Sequence, residues 1–433
     1  MKDAVVIGGG LAGLATAVAL GSQGFQVELL EAKPFLGGRA TSYPLPLGDG
    51  QEEVIDNCQH ILLKCCVNLL DFYRRMGVVE GIEFHREFFF MEPGGRTSSL
   101  CRGILPAPLH FAESFLRATW LTLGEKLSLG RAMLALRRER RSRKDLDQIS
   151  MLDWLKEKHQ PARLIERFWR QVLLSAINVE LDQMAAAHGF QVMWLGFMAA
   201  SDTYEMGIPK VRLGQLYQSG IENVVQRERA CVDEFDPERG VLVGGEWIAA
   251  RAYISAVPSD RLARLVPQLP IDYNAFEPSS ITGIHLWFDR PVTTMPHATL
   301  LDRNIQWFYN KGGGRYLMLV VSASETMLKM PRQEIIDLAM RELIEFLPAV
   351  AQATLVKAHV VKEAKATFRA KPGLEAKRPL SRTVIPNLFL AGDWTRSGWP
   401  ATMEGAVRSG YLAAEAASAY LGRPAHFLIP DLA

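Results

Sequence analysis

The sequence has little of what would place it in several common classes of protein. Its 433 residues include five cysteines (Cys58, Cys65, Cys66, Cys101 and Cys231), and no two of them form a C-x-x-C pair. Neither a zinc site nor a disulfide framework is therefore indicated. The formal net charge is only +2, which argues against general binding of nucleic acid.

Long apolar runs are also missing. No stretch reaches the ~18 uninterrupted apolar residues of a membrane-spanning helix, and the N-terminus has neither a basic n-region nor a signal-peptide cleavage site. We find no internal repeat and no second glycine-rich dinucleotide unit. A chain of 433 residues is too long for one hydrophobic core. We therefore expect a cytoplasmic protein of two or three domains.

The clearest motif stands at the beginning of the chain. Residues 4–7 predict a buried parallel strand, and Gly8, Gly10 and Gly13 then form G-x-G-x-x-G at the turn into a helix over residues 11–20. The three glycines allow a tight turn, close approach of a pyrophosphate and close packing of the helix on the strand. The free N–H groups of the helix N-terminus attract phosphates. This unit predicts binding of a dinucleotide.

Two further features follow the glycine motif. A strand over residues 26–30 ends at Glu31, where a ribose-binding carboxylate is expected. Gly37-Gly38-Arg39 comes one turn later. Together these features resemble the superfamily of flavin-dependent amine oxidases and phytoene desaturases, in which they hold FAD. A NAD dehydrogenase would match the first unit alone.

The C-terminal part of the chain carries the second half of this resemblance. An apolar strand over residues 387–391 ends in Gly392-Asp393, and a helix begins near Met403. By resemblance, the carboxylate holds the ribityl or pyrophosphate part of FAD and the helix N-terminus faces the flavin ring, while Glu404 serves as a helix cap. The residues that the resemblance places at FAD are Gly8, Gly10, Leu11, Ala12, Gly13, Glu31, Ala32, Gly38, Arg39, Val232, Gly392, Asp393, Met403 and Ala406.

A polar cluster lies between apolar segments in residues 56–60. It can be the capped start of a helix with a buried histidine, or part of the flavin face. The segment DNCQHILLKCCVNLLDFYRRMGV resembles that of the hydroxysqualene dehydroxylases, also called squalene-associated FAD-dependent desaturases. This resemblance implies an isoprenoid substrate, hydroxysqualene, whose hydroxyl is removed reductively. His60 is then the first candidate for an acid or a positioning group, and Asp56 the second.

The middle of the chain leaves two alternatives open. Residues 111–136 predict one helix followed by a basic run over 137–144, which is either a solvated face or part of a membrane-surface helix. Peripheral contact with the inner face of a membrane is one expectation for the 111–144 region. Residues 185–200 are apolar on all sides, so they predict a helix in the core or in the wall of an apolar cavity. A further helix is expected over 213–225.

The expected fold is α/β plus α+β: a discontinuous, Rossmann-like FAD-binding domain with an inserted substrate-binding domain. We assign residues 1–81, 205–260 and 379–424 to the first and 82–204 and 261–378 to the second, with a C-terminal tail over 425–433. Two other functions stay open. One is desaturation or isomerisation of a carotenoid-like polyene, and the other is that of a non-catalytic, FAD-containing assembly protein.

Overall fold

The computed structural model describes residues 2–46 and 52–432. The outermost residues of the expected domains, 1 and 433, lie outside this part of the chain. The described residues form twenty strands: β1 (Lys2–Ile7), β2 (Val27–Leu30), β3 (Ser42–Pro46), β4 (Glu52–Asp56), β5 (Leu62–Leu63), β6 (Ile82–His85), β7 (Glu87–Met91), β8 (Thr97–Cys101), β9 (Met206–Pro209), β10 (Val224–Arg227), β11 (Val232–Asp236), β12 (Gly240–Val243), β13 (Glu246–Ile248), β14 (Ala250–Ser255), β15 (Pro278–Phe288), β16 (His297–Leu300), β17 (Trp307–Gly312), β18 (Tyr316–Ser322), β19 (Leu355–Phe368) and β20 (Leu388–Leu390).

Twelve α-helices occur in the same described ranges, along with short 3₁₀ and π segments. They are α1 (Leu11–Ser22), α2 (Val67–Arg75), α3 (Ala112–Arg117), α4 (Leu123–Ser142), α5 (Met151–Glu157), α6 (Ala162–Leu164), α7 (Gln171–Ile177), α8 (Ala186–Gln191), α9 (Ser259–Leu265), α10 (Glu325–Lys329), α11 (Arg332–Phe346) and α12 (Met403–Tyr420).

A five-stranded parallel sheet with the order β10-β2-β1-β14-β20 organises the first unit. Its strands come from the start, the middle and the end of the chain. The sheet residues of β2 and β20 are fully buried, as expected for a parallel sheet covered on both faces. Helices α1 and α12 pack closely, since a Cβ on Gly410 would lie 2.3 Å from the carbonyl oxygen of Ala12. Both helices therefore bring their N-termini to the same edge of the sheet.

A seven-stranded, mostly antiparallel sheet organises the second unit, in the order β19-β15-β18-β17-β16-β7-β8. Apolar side chains of β15 and β18 pack with α11 in one core. A larger core packs the other face of this sheet against helices α4–α8. It contains the buried indoles of Trp120, Trp154 and Trp169. Because this sheet takes strands from both sides of β9–β14 in sequence, the second unit is also discontinuous.

Two expected helices were wrong in extent or type. The helix expected over 111–136 is broken at Ala118, and Thr122 starts α4 afresh in a capping box with Glu125. The second helix, expected over 213–225, is a short 3₁₀ turn followed by β10, which extends the parallel sheet by pairing with β2. Pairing with a distant strand overrides the helical preference of this segment.

The fold class is confirmed as α/β plus α+β with a discontinuous Rossmann-like sheet. The exact domain boundaries stay a prediction. Among the described helices, none combines the length and the apolar character that crossing a bilayer requires.

Candidate active site

The turn between β1 and α1 is built around glycine. Gly8 has a φ of +107°, which L side chains rarely adopt, and its N–H donates to the carbonyl of Leu30 at 2.7 Å. A Cβ on Gly13 would lie 1.9 Å from the carbonyl oxygen of Gly8. The third glycine of the motif therefore lets α1 pack directly against the turn, as the sequence predicts.

The Gly37-Gly38-Arg39 segment meets this turn. Gly37 N–H donates to the carbonyl of Gly9 at 2.8 Å, and a Cβ on Gly38 would lie 3.0 Å from the Cα of Gly10. Two backbones thus approach each other with no side chain between them. The result is a cradle of bare peptide groups at the N-terminus of α1, which fits a pyrophosphate.

Glu31 is fixed at the end of β2 by backbone donors. Its Oε2 accepts from Gly9 N–H at 2.7 Å, and its Oε1 accepts from Lys33 N–H at 2.8 Å. The side chain therefore stands beside the glycine turn, where a ribose hydroxyl would reach it.

The two ends of the chain meet at an ion pair. Arg39 Nη2 donates to Asp393 Oδ1 at 2.7 Å, across 354 positions of sequence. The charge of Asp393 raises the pKa of Arg39, and Nη1 donates to the carbonyl of Ala366. The guanidinium thus links Asp393 to β19, and its contact with FAD stays a prediction.

Glu404 caps a helix, but not its own. Its carboxylate accepts from the N–H groups of Asn68 and Leu69, so it closes the N-terminus of α2. Burial raises its pKa to about 7. The first turn of α12 is capped instead by Thr402, whose hydroxyl accepts from Gly405 N–H at 3.0 Å. Met403 and Ala406 line the adjoining cavity.

A cavity of about 730 Å³ joins these features to the second unit. Its wall includes every FAD residue that the sequence predicts except Gly13, which packs behind the turn. Val232 is part of this wall, and its carbonyl accepts from Arg261 at 2.9 Å. Apolar side chains of the second unit also line the cavity, among them Phe111, Phe115, Met133, Phe168, Val172 and Phe197.

His60 lies in the cavity wall where the two units meet. Its Nδ1 is 2.9 Å from the carbonyl oxygen of Cys58, so Nδ1 carries the proton and donates. Burial lowers the pKa of His60. The neutral ring then offers an unprotonated Nε2, which accepts a hydrogen bond. Of the two roles in the sequence hypothesis, this geometry favours positioning over acid catalysis.

Asp56 lies behind the wall rather than in it. Its carboxylate accepts from the Ser42 hydroxyl at 2.7 Å and from Leu213 N–H at 2.9 Å. Lys311 Nζ lies 3.5 Å from Asp56 Oδ2. These contacts tie β3, β4 and the 3₁₀ turn together. The side chain is thus placed as a structural link, and the hypothesis of a catalytic Asp56 stays a prediction that this placement does not favour.

Sequence reasoning missed several polar groups of the wall, among them three that come from the large sheet. Tyr309 and Thr299 come from β17 and β16, and Glu363 comes from β19. Burial raises the pKa of Tyr309, so its hydroxyl stays protonated. Glu363 approaches Asn57 Nδ2 at 3.4 Å. No local motif marks these residues, because pairing in the large sheet brings them to the cavity.

The chain matches one family over most of its length. The family model described as flavin containing amine oxidoreductase covers residues 11–418. The chain belongs to this family. The match begins at Leu11, directly after the glycine turn, and it includes both the Gly38-Arg39 segment and the Asp393 segment.

Curated relatives of similar sequence are desaturases. The chain is 26% identical to a 15-cis-phytoene desaturase of an Oncidium hybrid cultivar, with 96% of this chain and 77% of the relative covered. It is 25% identical to a probable zeta-carotene desaturase of Synechococcus elongatus, covering 95% of this chain and 97% of the relative.

Solved structures share the fold. An oxidoreductase from Methanosarcina mazei superposes with a TM-score of 0.71 at 16% identity, covering 94% of this chain and 98% of the other. Cyclohexylamine oxidase from Brevibacterium oxydans gives 0.66 at 18% identity, covering 97% and 99%.

The protein is therefore an FAD-dependent oxidoreductase. The cradle at Gly10 and Gly38, with the N-terminus of α1, fits the pyrophosphate of FAD. The Glu31 carboxylate fits a ribose, and the N-terminus of α12 fits the flavin ring. The contacts of individual residues with FAD stay predictions.

Replacing Glu31 by Ala is expected to weaken FAD binding about 10- to 100-fold. The variant loses a charged acceptor, worth roughly 1.5–3 kcal/mol, and frees the Gly9 and Lys33 N–H groups that it holds. Titration of the apoprotein with FAD, followed by flavin fluorescence, measures the change. Glu80→Ala, on an exposed turn, is the matched control. Equal affinity in the Glu31 and Glu80 variants would remove Glu31 from the site.

Proposed function

We propose that this flavoenzyme reductively removes the hydroxyl of hydroxysqualene to give squalene. The observation that carries the proposal is the composition of the cavity wall. One cavity joins the FAD residues and a few polar side chains to a set of apolar side chains of the second unit, among them Phe115, Met133 and Phe168. A long isoprenoid with one polar end matches this composition.

Two buried polar atoms of the wall support a substrate with a hydroxyl. Gln59 Oε1 and Thr299 Oγ1 have no hydrogen-bond partner among the described residues. Gln59 Nε2 donates to the carbonyl of His60, so Oε1 faces the other way as an acceptor. Buried polar groups without a partner are costly. An alcohol would satisfy them, whereas a hydrocarbon polyene would leave them unpaired.

The reaction balances as one C–O bond broken and one C–H bond formed. The oxygen leaves as water after gaining a proton, and the carbon gains a hydride. FAD, when bound and reduced, supplies that hydride. The substrate hydroxyl donates its one hydrogen to His60 Nε2 or to Gln59 Oε1, and this bond holds it in place. The apolar wall keeps bulk water away from the electron-deficient carbon. Glu363 and Tyr309 are the wall residues that we propose as the source of the proton.

Desaturation of a carotenoid-like polyene is the second candidate, and the relatives named as phytoene and zeta-carotene desaturases favour it. The apolar side chains of the cavity suit that substrate equally well. The unpaired oxygens of Gln59 and Thr299 support the first candidate. A non-catalytic FAD-containing assembly protein is the third.

The deciding experiment incubates the reduced holoenzyme with hydroxysqualene without oxygen and analyses the products by mass spectrometry. Squalene should form, with one oxidised flavin for each molecule, and should carry deuterium when the reaction runs in D₂O. The oxidised enzyme with phytoene is the parallel arm. A new conjugated double bond there, with no squalene in the first arm, would assign desaturation instead. No turnover in either arm, with both substrates bound, would favour the assembly protein.

A further inference from the structure

Six large apolar side chains project into solvent from one region of the second unit. Each exposes more than half of its surface. They lie in the loop before α3, on α3 and on α4, and we call them the apolar patch: Ile104, Leu109, Leu116, Leu123, Leu127 and Leu134. The loop and the helices are joined directly, since Ser114 donates to the carbonyl of Cys101 and Lys126 donates to the carbonyl of Leu116. The patch is therefore one surface rather than scattered side chains.

The exposed face of α4 carries leucines and arginines together. Four arginines are exposed: Arg131, between Leu127 and Leu134, and Arg137, Arg138 and Arg141, after Leu134. Among the described residues, none of these guanidinium groups lies within 4 Å of a carboxylate. The two acidic residues of α4 are engaged inward, Glu125 with Arg163 at 2.6 Å and Glu139 with Lys158 at 2.5 Å.

Two other arginines of the basic run are not part of this face. Arg140 stacks on the Trp194 ring at 3.6 Å, and Arg143 is paired with Asp145 and Glu157 at 2.7 Å each. The run over 137–144 thus contains side chains with protein partners as well as exposed ones. It is neither a solvated face nor a membrane anchor over its whole length. The exposed arginines of α4, all four without a carboxylate partner among the described residues, thus lie next to the leucines, and Lys144 is exposed just beyond them.

Helices α3 and α4 carry part of the patch and also part of the cavity wall. Phe115 precedes Leu116 on α3, and Met133 precedes Leu134 on α4, and both Phe115 and Met133 line the cavity. One side of these two helices therefore faces the cavity, while the other presents the patch.

We propose that the apolar patch and its four arginines dock on an anionic phospholipid leaflet. The leucines enter the acyl boundary and the guanidinium groups contact the phosphates, as in amphipathic helices that lie in the interface. A protein partner would also cover leucines, but the unpaired arginines with no carboxylate among them match a surface of uniform negative charge. Passage of an isoprenoid between α3 and α4 into the cavity is the further step, and it rests on the proposed function.

Flotation of the FAD-loaded protein with vesicles tests the docking without any turnover. The probes are vesicles of phosphatidylglycerol and phosphatidylcholine, and vesicles of phosphatidylcholine alone. We expect binding to the anionic vesicles that falls at least tenfold in the triple variant Leu116→Ser, Leu123→Ser, Leu127→Ser. A quadruple variant should bind less at low salt and should lose the salt dependence of binding. It carries Arg131→Gln, Arg137→Gln, Arg138→Gln and Arg141→Gln. Leu380→Ser, equally exposed at 60%, is the control and should float like the parent.

Equal flotation of the triple leucine variant and the parent would overturn the proposal. So would the absence of vesicle binding together with self-association that the leucine variant abolishes, which would assign the patch to a second copy of the chain. Flavin absorbance of each variant confirms that the fold is intact. Because flotation needs no substrate, a protein that floats as expected but makes no squalene loses the proposed function and keeps the docking surface.

Discussion

Acidification from about pH 7 to about pH 5 is expected to lower the free energy of unfolding by about 4 kcal/mol. The cause is a set of histidines buried in the neutral form. Burial lowers the pKa of His188 to about 4 and those of His285 and His297 to about 3, from the usual 6.5. His297 lacks a hydrogen-bond partner on both ring nitrogens among the described residues.

The sign follows from where the protons bind. Between pH 6.5 and the folded pKa values, these histidines are protonated in the unfolded chain and neutral in the native protein. Stability from these three groups is therefore full above about pH 6.5 and falls as the pH drops, at about 2 kcal/mol each by pH 5. Glu404 opposes this by about 2 kcal/mol, because its folded pKa of about 7 makes the native protein bind a proton earlier than the unfolded chain.

Urea unfolding at both pH values, followed by tryptophan fluorescence, measures the effect. His297→Phe, which places a ring of similar size beside Phe89 and Trp307, should reduce the loss by about 2 kcal/mol. His426→Gln is the control, since that side chain is 98% exposed. An unfolding free energy that stays constant down to pH 5 would contradict neutral burial of these histidines.

The part of the site that the sequence predicts is the part that local segments build. Gly8, Gly10, Gly13 and Glu31 belong to one βαβ unit, so their spacing alone places them together. Asp393 is also predicted from a local pattern, because it comes at the end of an apolar strand. What the sequence does not show is that Asp393 pairs with Arg39, since nothing local links residues 354 positions apart.

The polar groups of the cavity are harder to predict because the large sheet assembles them. Glu363 enters the wall through the pairing of β19 with β15, and no predicted element included it. Asp56 is a related case. Its place between apolar segments resembles that of a catalytic group, but its carboxylate accepts from Leu213 N–H, 157 positions away, so the catalytic role stays a prediction that this placement does not favour. The sequence does not show the break between α3 and α4 before Thr122, because apolar residues continue at helical spacing across it.

Replacing His60 by Ala is expected to slow dehydroxylation about 100-fold while FAD stays bound. The Nδ1–H of His60 donates to the Cys58 carbonyl and fixes the ring, and the lowered pKa keeps Nε2 free as an acceptor. Without it, the substrate hydroxyl loses the group that aligns it, and the loss should fall on kcat more than on KM because the apolar wall still binds the chain of the substrate. Single-turnover rates of the reduced variants measure this step, and flavin absorbance shows that the cofactor remains.

The pH dependence separates positioning from acid catalysis by His60. A neutral, accepting imidazole predicts that the rate falls as the pH drops through the lowered pKa of His60, because protonation removes the Nε2 lone pair. A histidine acting as the acid would give a rate that rises over the same interval. His60→Gln, which keeps an acceptor, should recover part of the rate and lose this acid limb. Glu363→Gln is the companion variant: if Glu363 gives the proton, that variant should be slower than His60→Gln across the whole pH range. An unchanged rate in His60→Ala would remove His60 from the reaction and leave Gln59 as the group that holds the hydroxyl.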